Sequence, residues 1–98
     1  MSDKITIVIE GKNYELANPE NNFEVYSQAL SKSLFDRITA GKIIFDSCYL
    51  GGAEGLVEIQ NNVKLYSNIC LYCASIVDFM EGEVKKNLTD TKVEAQKK

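Results

Sequence analysis

Residues 36–50 read DRITAGKIIFDSCYL, and the fold class turns on whether they form a helix or a strand. By propensity, IIFDSCYL at 43–50 suits a strand, being rich in β-branched and aromatic side chains. By periodicity, Leu34, Ile38, Gly41, Phe45 and Cys48 recur at helical spacing with Ile44 beside them, and the periodicity favours a helix. A third strand here would change the fold class, so the choice governs everything outward of it. Gly41 either weakens this helix or marks a break between two helices. Gly51-Gly52 is its natural stop, because glycine tolerates the left-handed residue that ends a helix.

Downstream, residues 53–62 read as a loop with a short apolar insertion, Leu56-Val57 and Ile59. Asn61 or Asn62 is expected to cap the next helix. That helix carries Tyr66, Ile69, Cys73, Ile76 or Val77, and Met80 on one face, with Gly82 ending or bending it. Val84 and Leu88 could add one more turn.

Upstream, residues 4–16 read as a β-hairpin. Ile5, Ile7 and Ile9 alternate with Thr6, Val8 and Glu10, the period-two signature of a half-buried strand. Gly11-Lys12 suits a two-residue turn, pairing Ile9 with Tyr14 and Ile7 with Leu16. In that register Ile5, Ile7, Ile9, Tyr14 and Leu16 share one face, which must lie on something because a lone hairpin is marginal in water. Asn18 or Asn22 caps the helix that follows, Pro19 suits a first turn, and Phe23, Tyr26, Leu30 and Leu34 make its stripe. The expectation is an α+β fold: an N-terminal β-hairpin packed on a small bundle of about three α-helices. Residues 1–88 form one compact domain and 89–98 a flexible Lys-rich tail.

Composition bounds the function more than it names it. The 98 residues are 45% hydrophobic and 26% charged, ordinary for one globular domain. Net charge is −3: residues 1–80 hold six basic and ten acidic side chains (−4), residues 81–98 five basic and four acidic (+1). No basic stripe suggests nucleic acid, and no apolar run approaches the ~20 residues of a membrane span. MSDKITIVIE lacks a signal-peptide pattern, and three cysteines fit a reducing compartment better than a disulfide framework. The expected location is therefore the cytoplasm, and Asn87-Leu88-Thr89 is then a chance match to a glycosylation acceptor.

There is no histidine, so the residue that most hydrolytic and transfer chemistry uses is missing. Cys70-Leu71-Tyr72-Cys73 is the sharpest motif. A redox CxxC sits at an exposed helix N-terminus, whereas these cysteines fall mid-helix. A structural zinc site wants four ligands, and Cys48 brings the set only to three. Cysteine also packs as a small hydrophobe, and that reading is preferred. Ala40-Gly41-Lys42 lacks the rest of a phosphate loop: position 36 is Asp36 rather than glycine, and Ile43 stands where Ser or Thr is needed. Asp36, Asp46, Asp78 and Glu81 show no spacing that pairs them for acid–base work or a divalent ion. The five tyrosines have no interleaved basic residues, so they suit core packing or a protein interface. No catalytic residue, cofactor or metal site is assigned, and a non-enzyme is expected.

The hairpin K-I-x-I-x-I-x-G-K-x-Y-x-L, the stretch A-G-K-I-I-F-D-S-C-Y-L-G-G and the amphipathic helix leading to a Lys-rich end resemble small proteins of the structural modules of tailed bacteriophages and prophages. The nearest named group is the phage tail assembly chaperones. The resemblance implies no catalytic residues. It implies a protein in the host cytoplasm that binds the long tape-measure protein or tail subunits during virion assembly; separately, more apolar helix faces than one hairpin can cover point to a homo-oligomer or a protein bound to a helical partner. The contact surface is expected on the helix bearing Tyr66, Tyr72 and Met80, or on the free edge of the hairpin by strand addition. The alternatives are a metal or redox module built on Cys48, Cys70 and Cys73, and a phage factor that inhibits a host protein.

Overall fold

A computed structural model describes residues 3–86. The architecture is α+β: strands β1 (Lys4–Ile9) and β2 (Lys12–Ala17) form an antiparallel hairpin, followed by α1 (Phe23–Ser33), α2 (Arg37–Cys48), α3 (Ala53–Gln60) and α4 (Val63–Ala74). The tail at 89–98 and the extra turn expected at Leu88 lie outside the described residues.

Residues 36–50 are helical up to Cys48, as the periodicity requires. Asp36 caps α2: its carboxylate accepts from the Thr39 N–H at 3.2 Å and the Thr39 hydroxyl at 2.6 Å. Those two bonds to the ionised form hold its carboxyl below the usual range. Gly41 is neither a weak point nor a break. A Cβ there would stand 1.7 Å from the Cys70 carbonyl oxygen, so α2 and α4 touch backbone to backbone at this position. Contacts of Gly41 with Cys70 and of Phe45 with Tyr66 (ring centroids 6.1 Å apart) make the two helices antiparallel. Ala40, Ile44, Phe45, Ile69, Cys73 and Ala74 are sealed in or beside this seam.

The hairpin differs from the expected one in its turn. Glu10 and Gly11 are the two central residues, both with positive φ (50° and 81°), the type I′ conformation that matches strand twist. Moving the turn by one residue moves the pairing by two. Ile7 therefore faces Tyr14 and Ile5 faces Leu16, where the expected register would set Ile5 against Asn18. A shift of two preserves side-chain parity, so the same five residues stay on the core face. Ile7, Tyr14 and Leu16 are buried there.

Asn18 caps the single 3₁₀ turn Pro19–Asn21, and Asn22 caps α1 through the Val25 N–H. The buried stripe of α1 is Val25, Tyr26, Ala29 and Leu30 rather than the one starting at Phe23. Phe23, the first residue of α1, is 84% exposed, and Leu34, just past its end at the corner between α1 and α2, is exposed as well.

Residues 53–60 are a helix, α3, and not the expected loop. Leu56 and Ile59, three apart, turn toward the core, and the Tyr49 ring fills the space that Gly51 and Gly55 leave open. Asn62 caps α4 through the Leu65 N–H. That helix ends at Ala74, well before Gly82; Val77 is still buried, but Met80 and Val84 are exposed and outside any helix.

Gly41→Ala tests the seam. Overpacking costs about 1–3 kcal/mol even where side chains can yield, and backbone yields less, while the gain in helix propensity is only about 1 kcal/mol. The urea midpoint should fall with the m-value unchanged; a midpoint at or above wild type would contradict the close approach.

Candidate functional site

The two edges of the hairpin are not equivalent. The Asn18 N–H donates to the Asp3 carbonyl at 3.0 Å, continuing the ladder beyond Lys4. The odd-numbered residues of β1 therefore bond to β2, and the even-numbered ones point their N–H and C=O outward. On β2 the outward Glu15 carbonyl accepts from the Leu50 N–H at 2.9 Å, and Tyr49 bridges Leu16. The chain leaving α2 thus closes the outer edge of β2. On β1, Thr6 and Val8 have no such neighbour among the described residues.

Beside β1 runs an open groove of about 560 Å³ between the hairpin and the outer side of α4. Its apolar lining includes Val8, Ile9, Leu65 and Tyr72; Lys12 and Lys64 stand on it, with Glu10 at the hairpin tip. A second depression of about 510 Å³ lies on the other side of Tyr14, toward α3. Strand alternation and helical spacing build the first groove. The turn at Glu10-Gly11 brings Lys12 back beside Ile9, and Lys64, Asn68 and Tyr72 form one i, i+4 ridge on α4.

The three expected contact residues do not share a surface. Tyr66 turns inward. Its hydroxyl donates to Asp46 Oδ1 at 2.7 Å, where Gln60 Nε2 also donates at 3.2 Å, and Lys42 Nζ donates to Asp46 Oδ2 at 3.0 Å. Asp46 thereby ties α2, α3 and α4 together. Burial, and the Asp46 carboxylate that accepts its hydrogen bond, raise the Tyr66 phenol well above its ordinary range. Tyr72 is exposed and lines the groove, while Met80 lies on the irregular segment beyond α4. The hairpin edge, the other expected surface, meets the groove at Val8. The part of the site that sequence reasoning missed is Lys12, which it placed in the turn, and Lys64, which no motif marks.

Cys48, Cys70 and Cys73 are all buried free thiols. Burial is the main cause that raises each of them: Cys70 is pushed up to about 11, with the Asp46 charge adding to the effect, and Cys73 further still. A raised thiol is a poor thiolate nucleophile. Among the described residues no group of three or more Cys, Asp or Glu side chains is arranged to hold a metal ion, and no helix is long and apolar enough to cross a membrane. Asp78 and Glu81 are exposed beyond α4, and Asp36 is occupied as a helix cap.

Comparison with protein-family models, curated proteins and solved structures finds no match for this chain.

The thiols give the fold an alkaline limit. Their ordinary value is 9.0, so above it the unfolded chain gives up protons that the folded chain keeps. The folded state then binds more protons, and stability falls with rising pH. Unfolding free energy should hold steady up to about pH 9 and decline from there toward pH 11. Cys70→Ala and Cys73→Ala together should flatten that decline while lowering stability at neutral pH. An unchanged slope in the double variant would contradict this role.

Proposed function

We propose that this chain is a non-enzymatic assembly protein of the phage tail-module kind, binding a protein partner along the outer edge of β1. The observation that carries this reading is the open edge at Thr6 and Val8, which meets at Val8 a groove of mixed polar and apolar lining that includes Leu65 and Tyr72. An extended segment added there would gain main-chain hydrogen bonds from β1 and side-chain contact from Tyr72 and Leu65. Exposed sheet edges invite such pairing unless charge, proline or a covering element blocks them. Apolar side chains elsewhere on the surface fit a protein that works in an assembly. Phe35 is 86% exposed at the corner between α1 and α2, with Leu34 and Ile38 around it. Aromatic anchors of this kind are common at protein interfaces. The cysteine-based alternative is weakened by thiols that burial keeps protonated.

The test is affinity capture of the tagged full-length chain from cells expressing its neighbouring genes. It should recover further copies of itself or a long helical tail protein. Val8→Pro removes an outward N–H without touching the β1–β2 ladder, and Tyr72→Ala opens the groove; each should cut recovery while circular dichroism stays native. Recovery of a host enzyme would favour an inhibitor. A monodisperse monomer that captures nothing would overturn the reading.

A further inference from the structure

We infer that the groove beside β1 is filled by residues 78–84 of a second copy of this chain, each copy lending this segment to the other. The inference rests on the reading of the β1 edge as a docking surface and names its occupant.

Residues 78–84 read DFMEGEV and run beyond α4 with no regular structure. Phe79 is 70% exposed and Met80 84% exposed, although each is large and apolar. Their neighbours Asp78 and Glu81 give the segment two carboxylates beside them, while Glu83 pairs with Lys85 of the same chain at 3.8 Å. The groove is its complement: Val8, Leu65 and Tyr72 supply apolar surface in its lining, and Lys12 and Lys64 stand there against the single carboxylate of Glu10. In an extended strand Phe79 and Met80 point to opposite faces. One then covers Tyr72 and Leu65 and the other lies beside Val8, while the backbone between them bonds to Thr6 and Val8. The flanking carboxylates fall near Lys12 and Lys64, where opposite charge steers and registers the contact.

The segment of the same molecule leaves the groove unfilled: Phe79 and Met80 are exposed, and none of residues 78–84 is among the residues that line it. Val77 is buried and its N–H donates to the Ala74 carbonyl at 3.2 Å, which pins the root of the segment to the end of α4. A second copy supplies the occupant. Because each copy carries both groove and segment, a twofold exchange satisfies both at once.

Sedimentation of the full-length chain tests this, with circular dichroism and a thermal melt as fold controls. Wild type should show a concentration-dependent monomer–dimer equilibrium that weakens with added salt. Phe79→Ser with Met80→Ser should weaken dimerisation by roughly thirtyfold or more, the size of a lost interface anchor. Lys12→Glu with Lys64→Glu should do the same through the groove. An equal mixture of the two double variants should associate again, since one retains the groove and the other the segment. A wild type that stays monomeric up to millimolar concentration, either double variant dimerising like wild type, or a mixture no more associated than its components would each overturn the inference. A monomeric wild type that still captures a tail protein, and loses it on Val8→Pro, overturns the exchange while leaving the docking edge in place.

Discussion

The contact of Gly41 with the Cys70 carbonyl is the constraint on which the rest of the molecule depends. Only a residue without Cβ lets α2 and α4 approach this closely. That approach seals Cys70 and Cys73 into the seam, stacks Phe45 near Tyr66, and places Asp46 where Tyr66 and Gln60 both donate to it. The CxxC motif is thus part of a helix–helix packing surface, and its chemistry is suppressed by the burial that makes it useful there. Asp46 accepts from three side chains on three helices, so the polar node that closes the bundle is satisfied rather than stranded.

From this seam follows the asymmetry of the hairpin. The chain leaving α2 at Tyr49 is held by the ring contact with Phe45, at 4.9 Å between centroids, and by its bridge to Leu16. Leu50 then closes the outer edge of β2, and the Tyr49 ring occupies space that a side chain at Gly51 would need. One edge of the two-stranded sheet is closed by the chain's own path. The other faces a groove whose wall is the ridge Lys64, Asn68 and Tyr72. A two-stranded sheet is weak by itself and gains from a third strand, so the open edge favours an added segment on general grounds.

Much of this was legible in the residues. The helical stripe through Ile44, Phe45 and Cys48 outweighed the strand propensity of the same residues, because that stripe is what α4 and the hairpin cover. The core face of the hairpin survived an error in the turn, since register slips by two keep parity. Helix caps are local: Asn22 and Asn62 were each one of two asparagines the sequence offered, while the cap at Asp36 was not read from it. What escaped were consequences of tertiary contact. Gly41 looks like a helix breaker until its neighbour is Cys70. Gly51 and Gly55 leave space whose use shows only once the Tyr49 ring is placed in it. Tyr66 looks like an interface aromatic until its hydroxyl is seen donating to Asp46. The stop of α4 at Ala74 leaves Met80 on an exposed segment, where helical spacing alone would have kept it on a buried face. The groove joins residues 8–14 with residues 62–72, and no local pattern brings those together.

Amide hydrogen exchange at Thr6 and Val8, followed by NMR across a range of protein concentrations, tests the central claim most directly: that the outer edge of β1 is open in the single molecule and closed in the working state. In dilute protein the amides of Ile5, Ile7 and Ile9 should be protected by the ladder while those of Thr6 and Val8 exchange much faster. As concentration rises, Thr6 and Val8 should gain protection together. Protection of Thr6 and Val8 equal to that of Ile7 at every concentration, or none even in a fully associated sample, would contradict the account.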